Sequence, residues 1–409
     1  MSFRLLVLAV GTFVINTGSY LVAGVLPAIA GQVDVPVTTA GQLVTVHALT
    51  YAISAPLLST AVGRVERRRV LLLSLALFVV GNIATALAPD FGSLTAARVL
   101  GALGAALFTP TAVVIAADLV PLERRGRAVS MVLAGLTLAT VIGVPLGVLG
   151  EPLLGYRGLF WCVAVLGLLA AVLLRVLPEV PAPAPVDGGK RLAVLRGRTV
   201  RLVLAVSALA SLADFAAYTY AAPMLSELTG AGAGALSALL FGYGVAGAMG
   251  NAVVGRLTDR FGSGVGIVAS LVALATGLVL LPVAAGSTVA TVVVLVLWGL
   301  GGWGIMPAVQ HRLLDAAPAS ASVLIAVNSS ALYLGMGLGG MAGGAVAGQW
   351  GWGALGPASG AVAVLALALF GHLVLRAAPT PEPAAEPTPE STRESTRLSG
   401  SAAAADAPR

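Results

Sequence analysis

Long runs of apolar residues dominate this chain from one end to the other. A helix that spans a membrane needs about 20 mostly apolar residues, and twelve such runs can be recognised. We place them near residues 5–28, 40–62, 70–88, 94–117, 128–150, 158–177, 201–224, 236–255, 265–284, 289–310, 321–347 and 357–375. The pattern predicts an all-α integral membrane protein with twelve spans, numbered 1 to 12 below.

Two polar segments divide the chain. Residues 178–200 are rich in Pro, Gly and Arg, and they predict a cytoplasmic linker. The segment 377–409 is rich in Pro, Glu, Ser, Thr and Ala, and it predicts a disordered cytoplasmic tail. The predicted organisation is therefore an N-terminal six-helix half at 1–177 and a C-terminal six-helix half at 201–376.

Composition supports the membrane assignment. Apolar residues make up 58% of the chain and charged residues 10%, whereas a soluble protein has about 25% charged residues. A water-soluble enzyme is therefore excluded. Cys162 is the single cysteine, the three histidines are scattered, and no phosphate-binding loop occurs. We expect no metal site, no cofactor and no direct use of ATP.

The distribution of basic residues predicts the orientation. With a cytoplasmic N-terminus, 21 of the 23 basic residues lie inside, and the exceptions are Arg98 and Arg157. The formal charge of +6 thus reflects membrane topology rather than nucleic-acid binding. A cleavable signal peptide also begins with a basic residue such as Arg4, but this first apolar run is longer than a signal sequence. We expect a retained first helix and cytoplasmic termini.

The two halves carry an internal repeat. Pro27 in span 1 matches Pro223 in span 7 at an offset of 196 residues, and Arg64 matches Arg260 at the same offset. Pro110 in span 4 matches Pro307 in span 10 at 197. Two parallel six-helix halves related by a pseudo-two-fold axis place a cavity at their interface.

Three residues inside the spans are candidates for proton coupling: Asp214, Arg98 and His47. An ionisable residue within a membrane is a functional candidate by default, and Asp214 lies near the middle of span 7. The alternatives are a structural acid bonded to Ser, Thr or Tyr groups for Asp214, an arginine extended towards the membrane surface for Arg98, and a packing residue for His47.

Several motifs resemble the major facilitator superfamily. The strongest is the loop Gly255-Arg256-Leu257-Thr258-Asp259-Arg260-Phe261-Gly262, and Leu94–Gly101 resembles the family's arginine motif of span 4. Segments similar to the twelve-span drug:proton antiporter branch, which includes bacterial chloramphenicol and sugar efflux transporters, are Gly135–Gly147, Leu122–Ala128, Ala23–Pro27 and Ala55–Leu58. This resemblance covers about residues 5–375.

The motifs also have a direct physical interpretation. Gly255 and Gly262 allow a tight turn, Asp259 can accept hydrogen bonds from a helix N-terminus, and Arg260 can pair with a carboxylate. The alternative is a plain turn with a positive-inside arginine. In the first-half copy, Ser59, Gly63 and Glu66 replace the family's Gly, Asp and Gly, so we expect its contact between an acid and a helix N-terminus to be lost.

A second set of glycines predicts close helix packing in span 5. Gly135, Gly143 and Gly147 share one helix face, and Pro145 kinks the helix. The glycine-rich segment 335–348 of span 11 has the same pattern in the second half. An association with antiport comes only from the resemblance, and ordinary tight packing is the alternative.

The resemblance implies a cavity lined by spans 1, 4, 7 and 10. Its polar and aromatic candidates are Asn16, Thr17, Ser19, Tyr20, Tyr218, Tyr220, Trp298, Trp303 and Gln310. Resembling efflux proteins often carry a glutamate where this chain has Ser19. The repeat offset relates the neighbouring Gly18 to Asp214, which suggests that the protonated acid has moved to span 7.

These observations predict a secondary transporter that exports an uncharged or weakly charged amphipathic small molecule, drug-like or a metabolite, in exchange for protons by alternating access. It would act as a monomer in the inner (plasma) membrane, with a small-molecule substrate, protons and the lipid bilayer as its partners. The first alternative is a proton-coupled uptake symporter for a sugar or metabolite. A membrane receptor or an intramembrane enzyme is a more remote alternative, because the loops are short and no nucleophile–base pair is evident.

Overall fold

Helices form nearly all of the protein in the computed structural model, which describes residues 3–62, 64–180 and 192–376. In this part of the chain, ten helices are long and apolar enough to cross a membrane. One of them covers 52 residues, enough for two crossings, and helix Gln42–Ala61 adds another. Twelve spans result, as the sequence predicts. Gly63 and the predicted tail at 377–409 lie outside the described residues, as do residues 181–191 of the predicted linker.

The helices match the predicted spans to within a few residues at most ends. Spans 1 to 4 are Phe3–Gln32, Gln42–Ala61, Arg67–Leu87 and Phe91–Asp118, with a short helix Val37–Ala40 before span 2. Spans 5 and 6 share Arg125–Leu173. Span 7 comprises Arg198–Tyr218 and Ala221–Thr229, and spans 8 to 12 are Ala233–Phe261, Ser263–Ala284, Thr288–Ala316, Ala321–Trp350 and Leu355–Arg376. Short 3₁₀ turns occur at Leu122–Arg124, Leu174–Val176, Leu192–Arg196, Pro318–Ser320 and Trp352–Ala354.

Two spans differ from the sequence prediction in detail. The loop expected between spans 5 and 6 is helical except at Gly155, whose φ of 64° turns the chain and which a glycine adopts without steric cost. Span 7 is interrupted after Tyr218 and restarts at Ala221. Apolar content does not reveal either feature, because both lie within apolar sequence.

Helix contacts repeat between the two halves. Span 1 packs against span 5 as span 7 packs against span 11, and span 3 packs against span 4 as span 9 packs against span 10. Contacts between the halves follow the same relation, because span 2 packs against span 11 and span 8 against span 5. This is the pseudo-symmetry that the sequence repeat predicts.

Residues 1–370 form one compact unit and residues 371–409 a second. The structure describes only residues 371–376 of the second unit, at the end of span 12. The domain boundaries at 177 and 201 stay a prediction.

Candidate transport site

A cluster of aromatic side chains surrounds one carboxylate where spans 1, 7, 8 and 10 meet. Its ring contacts connect six residues: Tyr20, Phe215, Tyr218, Tyr243, Trp298 and Trp303. The rings of Tyr218 and Tyr243 stack with centroids 5.0 Å apart. Tyr20 meets Tyr218 and Trp303 edge to face, with centroids 6.3 and 6.1 Å apart. Since only Tyr20 belongs to the N-terminal half, this aromatic cluster joins the two halves.

Asp214 is the carboxylate within this cluster, and its side chain is 2% exposed. Its Oδ1 accepts hydrogen bonds from Trp298 Nε1 at 2.6 Å and from the Tyr243 hydroxyl at 3.0 Å. Trp303 Nε1 in turn donates to the Tyr243 hydroxyl at 3.1 Å. The carboxylate is therefore held by neutral donors, and it forms no ion pair with the described residues.

Span 10 approaches Asp214 closely because it has a glycine at position 302. A β-carbon placed on Gly302 would lie 2.6 Å from Asp214 Oδ1, which is closer than non-bonded atoms allow. Sequence reasoning missed both Gly302 and Tyr243. Neither belongs to a motif, and their roles depend on where spans 8 and 10 lie relative to span 7.

Arg98 occupies the N-terminal half, and its side chain is 3% exposed. Its Nη1 donates to the Gly18 carbonyl oxygen at 3.2 Å, and its guanidinium carbon lies 6.0 Å from the centre of the Phe160 ring. An arginine extended to the membrane surface is therefore not what the structure has. His47 is also buried, and its Nε2 lies 3.0 Å from Ser19 Oγ. Both residues thus contact adjacent positions of span 1.

The remaining predicted cavity residues have different surroundings. The Asn16 amide donates to the Thr12 carbonyl oxygen at 2.7 Å within span 1, whereas the buried Thr17 hydroxyl has no hydrogen-bond partner among the described residues. Gln310 is half-buried in span 10. The Asn16 amide is thus hydrogen-bonded within its own helix, whereas the Thr17 hydroxyl is available to hydrogen-bond a ligand.

Tyr220 connects the two halves at the predicted outer end. Its hydroxyl lies within hydrogen-bond distance of two carbonyl oxygens, that of Gly340 in the same half at 2.9 Å and that of Thr38 in the N-terminal half at 3.2 Å. Tyr220 therefore joins spans 7 and 11 to the short helix before span 2 at this end. The rings of Tyr51 and Tyr333, which lie near the middle of spans 2 and 11, stack with centroids 3.6 Å apart and join the halves at mid-depth.

The predicted glycine face of span 5 lies against span 1. β-Carbons at Gly143 and Gly147 would lie 2.9 Å from Tyr20 Cβ and 2.7 Å from the Leu21 carbonyl oxygen, and one at Gly135 would overlap the Ala9 carbonyl. Pro145 is buried in the same helix, and its carbonyl oxygen accepts a hydrogen bond from the Ser237 hydroxyl of span 8 at 3.3 Å. Close backbone approach is thus the structural role of this motif.

Span 11 also packs against span 7 through glycines that approach backbone carbonyls. Comparing these contacts with those between spans 5 and 1 gives a corrected offset between the two repeats. Gly335 meets the Ala208 carbonyl as Gly135 meets that of Ala9, and these alanines are 199 residues apart. Before the interruption of span 7 the offset is therefore 199 residues, whereas beyond it the offset is 196, as between Pro27 and Pro223. Asp214 precedes the interruption, so its counterpart is Ile15 rather than Gly18. The position in span 1 that is equivalent to Asp214 thus lies about one helical turn before the position that the sequence repeat predicts, and pseudo-symmetry does not relate Asp214 to Ser19.

The motif Gly255–Gly262 is less loop-like than predicted. Span 8 continues to Phe261, and the turn occurs at Gly262, whose φ is 88°. Asp259 and Arg260 are exposed, and neither forms an ion pair with the described residues. Arg260 lies instead over the Phe261 ring, 5.1 Å from its centre. No sequence signal separates these last helical turns from a loop.

In the first-half copy of the motif, the prediction that no acid contacts a helix N-terminus is wrong. Glu66 caps span 3, because its carboxylate accepts from the backbone N–H groups of Arg68 at 2.8 Å and Arg69 at 3.0 Å. It also accepts from Val180 N at 3.0 Å. Partial burial opposes the charged form, but these three backbone donors outweigh it and lower the pKa of Glu66. Glu66 thereby ties the start of the linker to span 3.

Comparisons with known proteins agree with this architecture. The family model of the Major Facilitator Superfamily matches residues 8–322 and 203–405. An inner membrane transport protein of Escherichia coli, YdhP, is 35% identical over 348 residues, which covers 85% of this chain and 89% of that protein. A Bacillus subtilis MFS-type transporter, YbcL, is 32% identical over 345 residues, with coverage of 83% and 88%.

A third relative and two solved structures extend the comparison. A chloramphenicol resistance protein of Streptomyces lividans is 37% identical over 265 residues, 64% of this chain and 68% of that protein. A bacterial homologue of the human lysosomal transporter Spinster has a TM-score of 0.74 at 18% identity, covering 93% of this chain and all of that one. For the xylose transporter XylE of E. coli the TM-score is 0.71 at 16% identity, covering 91% and 97%.

The two solved structures establish the fold, and the sequence relatives establish the family. The members of this family are transporters that move small molecules across membranes and are not enzymes. With its twelve spans in two pseudo-symmetric halves, this multi-pass membrane protein belongs to the Major Facilitator Superfamily.

Proposed function

We propose that this transporter exports a small amphipathic molecule in exchange for protons, and that Asp214 is its protonation site. The observation that carries this proposal is the isolation of Asp214. Among the described residues it is the only acidic side chain that is buried, and it has no cationic partner. A carboxylate held by neutral donors can take up and release a proton without breaking a salt bridge.

The position of Asp214 supports coupling to a substrate. It hydrogen-bonds to Tyr243 and Trp298. The Tyr243 ring stacks on Tyr218, which in turn meets Tyr20 of the N-terminal half. Aromatic walls with few polar groups suit amphipathic ligands. A molecule bound against Tyr20 and Trp303 would therefore lie one residue away from the protonated group.

The contacts at the predicted outer end support alternating access. The contact between the Tyr220 hydroxyl and the Thr38 carbonyl oxygen joins the halves there, so a substrate in this conformation would enter from the cytoplasmic side. Export is favoured over uptake by the resemblance of the span 5 motif to antiporters and by the relative in Streptomyces lividans that is a chloramphenicol resistance protein. We place the protein in the inner membrane, with cytoplasmic termini, as a monomer.

The first experiment identifies a substrate and the direction of transport. A drug-susceptibility panel that includes chloramphenicol is run in a host lacking its own efflux pumps, with and without this protein. Compounds to which the protein confers resistance are then added to everted membrane vesicles with an imposed pH gradient. We expect accumulation inside the everted vesicles and proton release from them; accumulation in right-side-out vesicles instead would identify an uptake symporter.

The second experiment tests Asp214 itself. In proteoliposomes, Asp214→Asn should abolish accumulation driven by a pH gradient and leave substrate exchange between the two sides largely intact, because the amide keeps the shape but cannot release a proton. His47→Gln tests the competing carrier, and Asp34→Asn is a control at an exposed acid. Accumulation against a gradient by Asp214→Asn would disprove the assignment.

A further inference from the structure

The guanidinium of Arg98 is buried with most of its hydrogen-bonding capacity unused. Nη1 donates to the Gly18 carbonyl oxygen, but Nε and Nη2 have no partner in the part of the chain that the structure describes. The ion pairs there involve other residues: Arg67 with Asp118, Arg69 with Glu66, and His311 with Asp315. A buried charge whose nitrogens lack partners is costly, so an anionic ligand bound to these nitrogens would stabilise it.

The two free nitrogens form one edge of the guanidinium. Nε and Nη2 point their N–H groups in the same direction, and this is the edge that binds a carboxylate through two parallel hydrogen bonds. The occupied Nη1 lies on the other edge and anchors the group to Gly18. Arg98 is therefore fixed in place with its bidentate edge free.

His47 adds a second unused polar atom beside the same turn of span 1. Its Nε2 lies 3.0 Å from Ser19 Oγ, and its Nδ1 is buried without a partner among the described residues. The Ser19 hydroxyl has two acceptors within reach, His47 Nε2 at 3.0 Å and the Ile15 carbonyl oxygen at 3.3 Å. In the tautomer in which the hydroxyl donates to the nearer Nε2, Nδ1 carries the proton and is a donor. Gly18 holds Arg98, and the adjacent Ser19 holds His47, so both free donors belong to one region of the N-terminal half.

The carboxylate of Asp214 does not neutralise this region. It is engaged by Trp298 and Tyr243 in the C-terminal half and forms no ion pair with Arg98. We propose that Arg98 and His47 bind a carboxylate, or a similar planar anionic group, of the transported molecule. This inference rests on the proposed transport function and narrows the substrate class to molecules with an apolar body and an anionic end.

Ligand binding to the purified full-length protein tests the proposal without transport. The probes are benzoate and benzamide, which share a ring and a shape but differ in charge, and the readouts are tryptophan fluorescence and the thermal unfolding midpoint. The wild type should bind benzoate and gain thermal stability from it, whereas benzamide should bind at least about tenfold more weakly, since a charge-assisted bidentate contact is lost. Equal binding of the two probes would overturn the proposal.

Variants assign the binding to the named side chains. Arg98→Gln should remove the preference for benzoate. Arg98→Lys keeps the charge but lacks the two-nitrogen edge, so benzoate should bind about tenfold more weakly than in the wild type. His47→Gln should weaken it to a smaller extent, and Arg201→Gln is the matched control at an exposed arginine of a span. A preference that persists in both Arg98 variants would contradict the site.

Two further measurements distinguish a carboxylate site for the substrate from a site for inorganic anions and from the proposed proton site. Sodium chloride in place of benzoate tests for a free inorganic anion, and stabilisation by chloride equal to that by benzoate would overturn the assignment to the substrate. Asp34→Asn, at an exposed acid outside the transport site, should still prefer benzoate. Failure of proton-driven flux with benzoate binding intact would reject the transport proposal alone, and the reverse result would reject the anion site alone.

Discussion

At the scale of single residues, hydrogen bonding distinguishes the two buried charged side chains Asp214 and Arg98. Asp214 is satisfied by Trp298 and Tyr243, whereas Arg98 keeps two nitrogens free. Both residues are evident in the sequence as charges within apolar runs. Their partners are not evident, because hydrogen bonds between spans depend on which faces the helices turn towards each other.

The close contact between Gly302 and Asp214 gives a prediction at this scale. Gly302→Ala places a methyl group 2.6 Å from Asp214 Oδ1, so the carboxylate must move away from Trp298 and Tyr243. We expect proton-driven transport in proteoliposomes to fall by at least about tenfold, since small displacements of a reacting group are costly. The protein should still reach the membrane and unfold cooperatively.

Gly242→Ala is the matched control for this substitution. Gly242 also lies within a spanning helix, but a β-carbon there would meet nothing within 4 Å. Both variants gain the same helix propensity, so only the contact with Asp214 differs. Equal transport by the two variants would show that the position of this carboxylate does not matter.

At the scale of helices, the interruption of span 7 places Tyr220 where it contacts both span 11 and the short helix before span 2. Tyr220 lies between the helices Arg198–Tyr218 and Ala221–Thr229, and its hydroxyl reaches both Gly340 and Thr38. A continuous helix would direct this side chain elsewhere. The sequence identifies Tyr220 as a cavity candidate, but the structure places it in the outer contact between the halves.

Tyr220→Phe should therefore favour opening of the outer end. Loss of the contact between the Tyr220 hydroxyl and Thr38 of the N-terminal half removes about 1 kcal/mol, which corresponds to a roughly fivefold shift in the population of the open form. The reporter is Thr45→Cys in a Cys162→Ser background, because Thr45 is buried in span 2 beside Gly340. Its rate of labelling by an impermeant thiol reagent should rise about fivefold.

Tyr156→Phe provides the comparison for this measurement. Tyr156 is also buried, but its hydroxyl accepts from Arg157 within the N-terminal half. Its loss should leave the labelling of the Thr45→Cys reporter unchanged. An unchanged rate in Tyr220→Phe as well would mean that the outer contact does not depend on this hydroxyl.

At the scale of the whole molecule, the distribution of arginines predicts both ends of the transporter. Arg67 pairs with Asp118, and Glu66 bonds to Val180, so the ends of spans 3, 4 and 6 meet where the sequence predicts the cytoplasmic face. The pairing of spans also follows the predicted pseudo-symmetry. Orientation in the membrane remains a prediction that labelling can test.

Two exposed positions are suited to that test. Single cysteines at Glu123, before span 5, and at Gly286, between spans 9 and 10, are introduced in a Cys162→Ser background. In intact cells an impermeant thiol reagent should label the cysteine at 286 and leave that at 123 protected, since the positive-inside rule places the arginine-rich loops in the cytoplasm. Lysed cells provide the control in which both react, and the opposite pattern in intact cells would reverse the topology.

The sequence by itself determined the fold class, the number of spans, the approximate repeat and the two buried charges of the core. Helix length and apolar content follow from the thickness of the bilayer, and a charge within a span is visible without any structure. Only the tertiary structure decided that Tyr243 and Trp298 hold Asp214, that Arg98 keeps a free edge and that Tyr220 lies at the outer contact. Those features depend on how each helix is rotated about its axis and on the interruption of span 7, which shifts the repeat by three residues. Apolar sequence does not reveal either feature, because many rotations of an apolar helix bury equally apolar faces.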